Sequence, residues 1–261
     1  DGDEWVVTGQ KVWTTWAHLA GWAVLLARTD PDAAKRRGIT YFLIDLRQPG
    51  VEVRPLRHLG GEVEFNEVFL DGARVPDSQR VGVAGDGWRV ANATLSGERQ
   101  MVAGSGSGGV DRIGGSGCDH LLRLARETGA MAEPTVRQRI MGVYVEERIR
   151  DWTNQRVRAT VRSGRAPGPE SSIGKVHQGE LNQRVQLLAT DLLGIKATGY
   201  PATDGYAASL PYEVKGMLRS RANTIEGGTT EVNKNILGER VLGLPREPDP
   251  WFDAPWRDIP R

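Results

Sequence analysis

The residues best suited to chemistry lie in one short stretch, Asn223–Val232. Two adjacent glycines, Gly227 and Gly228, allow a positive φ or a close approach of the backbone to a ligand. Thr229 is a natural N-cap for the amphipathic run that follows, and a helix start of this kind presents unpaired N–H groups to an anion or a carbonyl. The carboxylate of Glu226 lies beside these donors. The stretch therefore predicts an active-site corner. The alternative is an ordinary capped helix.

A second candidate acid–base group, Glu98, lies on the apolar face of a helix predicted to begin near residue 86. An unpaired carboxylate on an inward face is costly, and its desolvation raises its pKa, which suits a general base. Glu98 is therefore either a base or half of a buried pair with an arginine. The apolar positions that define this face are Trp88, Ala91, Leu95 and Val102.

Trp13 and Thr15 lie at the end of a run rich in β-branched and aromatic residues, which predicts a strand. Because alternate strand residues share a face, the indole and the hydroxyl could stack on and hydrogen-bond a planar cofactor. A core Trp beside a strand Thr is the alternative. The four histidines show no metal-binding spacing, and the single Cys118 excludes a cysteine-rich site, so no metal centre is predicted.

The elements that must position these groups fall into two regions, with a predicted boundary near residue 82. Residues 1–82 hold short apolar runs separated by Gly, Pro and Asp turns, which predict a small antiparallel β-sandwich or open barrel. Residues 83–261 show helical periodicity, interrupted by a Gly/Ser-rich link over residues 104–117. Four long helices joined by short links predict an antiparallel four-helix bundle, and hence an α+β multi-domain fold.

Composition limits the function classes. The 261 residues are 39% hydrophobic and 26% charged with a formal net charge of +1, which argues against a dedicated nucleic-acid binder. The sequence has no apolar run long enough to span a membrane. One cysteine favours a reducing cytoplasm. Because strand-like sequence begins at Asp1, we expect the chain to be a fragment that lacks an N-terminal part.

Five segments, in order along the chain, resemble the acyl-CoA dehydrogenase family, specifically its middle β domain and its C-terminal helical bundle. They are similar to the family's G-x-K-x-W-I-T strand, F-x-D-x-x-V-P edge, G-x-G-W/F helix start, L-x-x-E-R helix and I-E-G-G-T-S-E-I segment. The matching segments are Gly9-Gln-Lys-Val-Trp-Thr-Thr15, Val68-Phe-Leu-Asp-Gly-Ala-Arg-Val-Pro76, Gly85-Asp-Gly-Trp88, Leu95-Ser-Gly-Glu-Arg99 and Thr224-Ile-Glu-Gly-Gly-Thr-Thr-Glu-Val232. The resemblance implies that an N-terminal helical domain is missing from this chain.

The resemblance implies an FAD-dependent oxidation of an acyl-CoA thioester within fatty acid β-oxidation or related lipid degradation. A carboxylate removes the α-proton, flavin N5 accepts the β-hydride, and a hydrogen-bonded thioester carbonyl makes the α-proton acidic. Implied partners are electron-transfer flavoprotein and further subunits in a homo- or hetero-oligomeric dimer or tetramer. Two alternatives stay open: a non-catalytic partner subunit of a mixed oligomer, and an oxygen-using flavin oxidase or monooxygenase on the same fold.

The resemblance also assigns cofactor residues. Those expected to contact FAD are Trp13, Thr15, Arg126, Gln138, Gly194, Thr229, Thr230 and Glu231, with Arg126 and Gln138 reaching the FAD of a neighbouring subunit. The sequence departs from the family at two of these places. Arg126-Glu-Thr-Gly129 lacks the aromatic of R-x-x-F-G, and Asp191-Leu-Leu-Gly194-Ile replaces Q-x-L-G-G.

The catalytic base has two candidate positions in the family, which converge on one point in space. Glu98 matches the Glu of L-x-x-E-R without a shift. Alignment on Gly228-Thr229 places Gly227 at the other position, with Glu226 one residue early. We therefore expect Glu98 to be the base, with Glu226 as the alternative. Gly227 is expected to donate its backbone N–H to the thioester oxygen, and Arg99 to support the CoA side of the site.

Overall fold

The computed structural model describes residues 1–104, 117–164, 168–199 and 210–260, and only the backbone of residues 96–104. Most of the predicted Gly/Ser-rich link therefore lies outside the described residues. The chain forms two compact units, Asp1–Glu98 with Glu247–Arg261, and Arg99–Arg246. The domain boundary near residue 82 stays a prediction.

The first unit contains two three-stranded antiparallel sheets, ordered β1–β5–β4 and β2–β3–β6. Their apolar faces share one core, in which Phe42 and Ile44 of one sheet lie with Val68 and Val75 of the other. The strands are β1 (Glu4–Lys11), β2 (Trp22–Arg28), β3 (Ile39–Asp45), β4 (Val51–Leu56), β5 (Phe65–Pro76) and β6 (Arg80–Val81). The predicted small antiparallel sheets are confirmed, and helix α1 (Gly87–Gly104) follows them.

Strand β5 forms the middle of its sheet because every second residue in its first half is apolar or small enough to enter the core. Val68 and Leu70 are buried, while Phe69 between them faces outward and carries Arg54 over its ring at 4.3 Å. Gly50, at φ 82°, turns the chain into β4 beside this strand. A Cβ there would lie 2.5 Å from the carbonyl oxygen of Asp71, so the turn requires glycine.

Residues Glu247–Arg261, here called the return segment, pack against the loop between β2 and β3. The Trp256 N–H donates to the Ala33 carbonyl at 3.1 Å, and the guanidinium of Arg28 lies 4.5 Å from the centre of the Trp256 ring. Three ion pairs join the same two stretches: Asp32–Arg257, Lys35–Asp249 and Arg37–Asp253. The sequence pattern did not predict this contact.

The second unit is helical. Its helices are α2 (Gly117–Glu127), α3 (Pro134–Arg162), α4 (Ser171–Leu193), α5 (Tyr212–Ser220) and α6 (Thr230–Arg240). Helices α2, α3 and α4 share one buried core, which includes Leu121, Ile140, Val185 and Leu188. The predicted helical region is confirmed, and α5 is a helix that the sequence pattern missed.

Helix α3 differs from its predicted packing. Of its apolar stripe only Ile140 is buried, together with Val143, whereas Trp152 keeps 61% of its surface exposed. The exposed remainder of the stripe is Met141, Tyr144, Val145 and Ile149. Among the described residues, no helix is long and apolar enough to cross a membrane.

Candidate functional site

The predicted corner is a turn that joins two helical stretches of the second unit. Gly227 and Gly228 adopt φ values of 64° and 90°, and the Thr229 hydroxyl caps α6 by accepting the Val232 N–H at 3.2 Å. The Asn233 side chain donates to the carbonyls of Gly228 and Thr229, both at 2.9 Å. Within the described part of the chain, no backbone carbonyl accepts the N–H of Gly227 or Gly228. The turn therefore fixes its carbonyls and leaves two amide donors available.

Glu226 is occupied on both carboxylate oxygens. Its Oε2 accepts a hydrogen bond from Nη2 of Arg219 at 3.0 Å, and its Oε1 accepts one from Nδ2 of Asn223 at 3.0 Å. A guanidinium partner and a second donor hold the carboxylate in one position. To act as a base, Glu226 would have to leave both partners, so its geometry suits support of the turn.

Asn223 is held against α4 by three features. Its Oδ1 accepts from Nδ2 of Asn182 at 2.6 Å, and its main-chain carbonyl accepts from the ammonium of Lys175. A Cβ at Gly179 would lie 2.7 Å from that carbonyl oxygen, so only glycine permits the close approach. Burial lowers the pKa of Lys175, while the charge of Glu226 opposes the shift.

Glu98 and Arg99 lie in α1, and their side chains fall outside the described residues. Of the stripe predicted to face inward with Glu98, Ala91 is buried, whereas Trp88 and Leu95 keep 37% and 43% of their surface exposed. The inward orientation of Glu98 and the CoA contact of Arg99 therefore stay predictions.

Trp13 and Thr15 belong to a loop and do not share a strand face as predicted, because β1 ends at Lys11. Trp13 has a φ of 63°, which breaks the extended backbone. Its ring is 62% exposed and contacts the edge of Phe65, with ring centroids 5.8 Å apart. The loop thus presents an aromatic face and an exposed threonine to solvent.

Asn66 anchors this loop, and sequence reasoning missed it. Its side chain is fully buried; Nδ2 donates to the Thr14 carbonyl at 2.9 Å, and Oδ1 lies 3.0 Å from Nδ1 of His18. The Asn66 carbonyl also accepts the Thr14 N–H at 3.0 Å. An available signal was the polar residue at an inward position of the alternating β5 pattern.

The other expected cofactor residues are dispersed within the second unit. Arg126 and Gln138 are exposed on α2 and α3, and the described contacts join neither to the other. Gly194 ends α4 with a φ of 57°, and a Cβ there would meet open space. Beside the turn, Thr230 is buried and Glu231 is exposed.

His58, Glu62 and Glu64 form the one cluster among the described side chains with metal-ligating atoms within 4.8 Å of one another. The Gly60 N–H donates to Nδ1 of His58 at 3.0 Å, so the neutral ring carries its proton on Nε2. That N–H faces both carboxylates at 3.8 Å. In this tautomer the proton occupies the Nε2 lone pair that a metal ion would need.

The described geometry fits a flavin and a thioester. An exposed indole on a loop pinned by a buried amide suits stacking on a planar ring, and a neighbouring hydroxyl suits a hydrogen bond to its edge. In the second unit, two backbone donors beside a helix N-terminus suit an oxygen that gains negative charge.

Two family models match most of the chain. Residues 1–73 match the acyl-CoA dehydrogenase middle domain, and residues 85–242 match the acyl-CoA dehydrogenase C-terminal domain.

Relatives from Mycobacterium tuberculosis are similar along nearly the whole chain. The acyl-CoA dehydrogenase IpdE1 is 38% identical over 95% of this chain, and the acyl-CoA dehydrogenase FadE34 is 39% identical over 93%. The chain spans 61% of the length of IpdE1 and 32% of that of FadE34.

Solved structures share the fold. The Tcur3481-Tcur3483 steroid ACAD superposes with a TM-score of 0.81 at 28% identity, covering 95% of this chain and 62% of that one. The ChsE4-ChsE5 complex from Mycobacterium tuberculosis gives a TM-score of 0.72 at 25% identity, covering 95% of this chain and 63% of that one.

Proposed function

Because this chain belongs to the acyl-CoA dehydrogenase family, we propose that its protein catalyses the α,β-dehydrogenation of an acyl-CoA thioester. Within that reaction the turn at Gly227 and Gly228 binds the thioester oxygen through its backbone N–H groups. Hydrogen bonds to this oxygen stabilise the negative charge that develops as the α-proton leaves. The availability of these two donors is the observation that carries the proposal.

Glu98 is the base in this proposal and accepts the α-proton, and Arg99 supports the CoA portion of the substrate. The occupied carboxylate of Glu226 supports this choice, since both of its oxygens already have donors. A base must meet its proton within hydrogen-bond reach, and Glu226 would first have to break two contacts.

FAD, when bound, supplies the acceptor for the β-hydride. Trp13 stacks on its ring and Thr15 hydrogen-bonds the ring edge, which their exposure on an anchored loop supports. Thr229, Thr230 and Glu231 hold the cofactor at the start of α6. The remaining contacts proposed for FAD come from Arg126, Gln138 and Gly194.

The acyl group proposed for this enzyme is carried on a steroid-type skeleton, and the reduced enzyme passes its electrons to an electron-transfer flavoprotein. The similarity to the Tcur3481-Tcur3483 steroid ACAD supports this substrate class. A panel of steroid-type and straight-chain acyl-CoA thioesters, mixed without oxygen with the full-length protein, tests it through bleaching of the flavin absorption. Bleaching by straight-chain thioesters alone would refute the steroid assignment.

The experiment that tests the base compares Glu98→Gln with Glu226→Gln in the full-length protein. Glu98→Gln should keep the yellow flavin. Its rate of flavin bleaching by acyl-CoA should fall by about a thousandfold or more, because the proton acceptor is gone. Glu226→Gln keeps an acceptor for Asn223, so its rate of flavin bleaching should fall much less. The reverse order of the two losses would make Glu226 the base.

A second candidate function is that of a partner subunit in a mixed oligomer. The missing aromatic after Arg126 and the altered segment before Gly194 support it. So does the similarity to the Tcur3481-Tcur3483 steroid ACAD and to the ChsE4-ChsE5 complex, each of which is named for two components. The flavin spectrum after purification, alone and with a co-expressed paralogue, separates the candidates. A stoichiometric, substrate-reducible flavin in the lone protein excludes the partner-only function.

Oxygen reactivity separates the dehydrogenase from an oxidase or monooxygenase on the same fold. The substrate-reduced protein should be reoxidised slowly by air and rapidly by an electron-transfer flavoprotein. Rapid reoxidation by air alone would favour the oxygen-using alternative.

A further inference from the structure

One face of α4 carries a row of small and polar residues toward the turn that holds Gly227. Lys175, Gly179 and Asn182 follow one another at spacings of four and three, so they lie on the same side of the helix. Each of them meets the same residue, Asn223: two donate to it, and the third leaves space for its carbonyl.

Asn223 transmits this contact to the turn. Its Nδ2 donates to Oε1 of Glu226 at 3.0 Å, so one amide joins α4 to the residue directly before Gly227. Asn182, the donor on the other side, is 2% exposed and accepts from Nε2 of Gln186 at 3.2 Å. A buried amide chain of this kind fixes one rotamer, because any other leaves polar atoms without partners.

Lys175 reaches the turn by a second route. Its ammonium binds the Asn223 main-chain carbonyl, and a Cβ at Gly227 would lie 3.3 Å from its Cε. The lysine stem therefore packs against the glycine whose N–H is the proposed donor. Burial disfavours the charged form of Lys175, and the negative charge of Glu226 opposes that effect.

We propose that Asn223 and Lys175 are positioning residues that fix the turn at Gly227 and Gly228, so that its two N–H groups meet the thioester oxygen. The inference rests on the proposed function of this turn. Neither side chain needs to touch the substrate. Their effect is to remove alternative conformations from two glycines that would otherwise be the most flexible residues of the site.

The first test measures hydrogen exchange of the peptide covering residues 225–234 in the full-length protein without ligand. Asn223→Ala and Lys175→Met should each raise exchange there by roughly tenfold, because the turn opens more often. Lys175→Arg keeps a donor for the carbonyl and should stay near wild type. Thr190→Val is the matched control, since its hydroxyl contacts the Gln186 carbonyl within α4 at 2.9 Å and the Glu213 carbonyl of α5 at 3.4 Å, and neither contact involves Asn223.

The second test measures polarisation of the thioester. A conjugated arylacryloyl-CoA absorbs at longer wavelength when its carbonyl accepts strong hydrogen bonds, so the wild-type protein should shift its band to the red. Asn223→Ala and Lys175→Met should each lose most of that red shift. Lys175→Arg should keep it, because the arginine still donates to the carbonyl. A stability defect alone would not produce this pattern.

The outcomes separate the two proposals. Exchange that is unchanged in both Asn223→Ala and Lys175→Met overturns the positioning role, whatever the probe does. If exchange is faster in the variants, the positioning role is supported. If the wild-type protein also binds the probe without any red shift, the proposed function of the turn is refuted. A red shift that survives in both variants overturns the assignment of these residues to the thioester site.

Discussion

Asn66 and Thr14 bind one another twice: the Asn66 side chain donates to the Thr14 carbonyl, and the Asn66 carbonyl accepts the Thr14 N–H. This pair fixes the loop that exposes Trp13. Asn66→Ala should destabilise the loop by about 1–3 kcal/mol, because the partly buried Thr14 carbonyl loses its donor. We expect faster hydrogen exchange over residues 12–20 and lower retention of flavin on purification.

The control for Asn66 is Gln10→Ala, which removes an exposed side-chain hydrogen bond from β1 to Glu67 of β5. Its cost should stay within about 0.5 kcal/mol, and flavin retention should not change. Equal flavin loss in both variants would contradict the specific role of Asn66.

Asp77 should make the first unit lose stability in acid. Two hydrogen bonds from Arg80, and then one from Nε1 of Trp5, hold the pKa of this carboxyl well below its usual range. Its contribution is therefore present above the unfolded pKa of about 3.9 and is lost as the pH falls further toward the folded value. Asp77→Asn should lower the unfolding temperature at pH 6 and lower it by less near pH 2, where part of the contribution is already lost. Asp71→Asn, an exposed substitution in β5, is the control and should change the unfolding temperature little at pH 6.

Glu147 should show the opposite pH dependence. Both its oxygens accept the Cys118 N–H at the start of α2, and burial raises its pKa. The folded state thus favours the protonated form, so this contribution is full below the unfolded pKa and is lost as the pH rises through the folded pKa. Glu147→Gln keeps an acceptor and should match or exceed wild-type stability at pH 7, with the difference shrinking toward pH 4. Glu147→Ala should cost about 1 kcal/mol at pH 4 and less at pH 7, and an equal loss of stability in Glu147→Gln at pH 7 would contradict the effect of burial.

Trp256 should anchor the return segment. Its half-buried ring lies against the Arg28 guanidinium, while its backbone N–H, which an alanine would keep, donates to the Ala33 carbonyl. Trp256→Ala should weaken this contact by about 1–2 kcal/mol and raise hydrogen exchange over residues 28–38. Trp251→Ala, in the same segment, is the control and should change that exchange little. The prediction fails if the two variants behave alike.

Local signals allowed the corner to be predicted from sequence. The Gly-Gly-Thr order alone indicated positive φ values followed by an N-cap, and the structure has both at Gly227, Gly228 and Thr229. A cap depends on residues within one turn of each other, so no knowledge of the remaining fold was needed.

Contacts between distant residues could not be predicted in this way. Asn223 meets Asn182 across 41 positions, and the Lys35–Asp249 pair spans 214. Neither pairing leaves a periodic pattern. In the sequence, Lys35 belongs to a basic loop that is typical of solvent-exposed residues. Only the folded chain places Asp249 beside it.

Periodicity also failed to say which side of α3 is covered. Ile140 and Met141 both fit the apolar stripe, yet Ile140 is buried and Met141 is half exposed. A stripe wider than one neighbouring helix can cover leaves part of its surface open, and only the packed arrangement decides which part. In the first loop, the positive φ of Trp13 is a conformation that strand propensity does not anticipate.

The return segment has a consequence for the order of synthesis. Residues 99–246 are translated between the two parts of the first unit, so the ribosome releases every helix of the second unit before Trp256 can meet Arg28. The second unit can therefore begin folding during translation. During that time the β2–β3 loop of the first unit lacks its contact with the return segment. A nascent chain arrested before residue 247 would present the basic side chains of Lys35 and Arg37 without the aspartates that neutralise them.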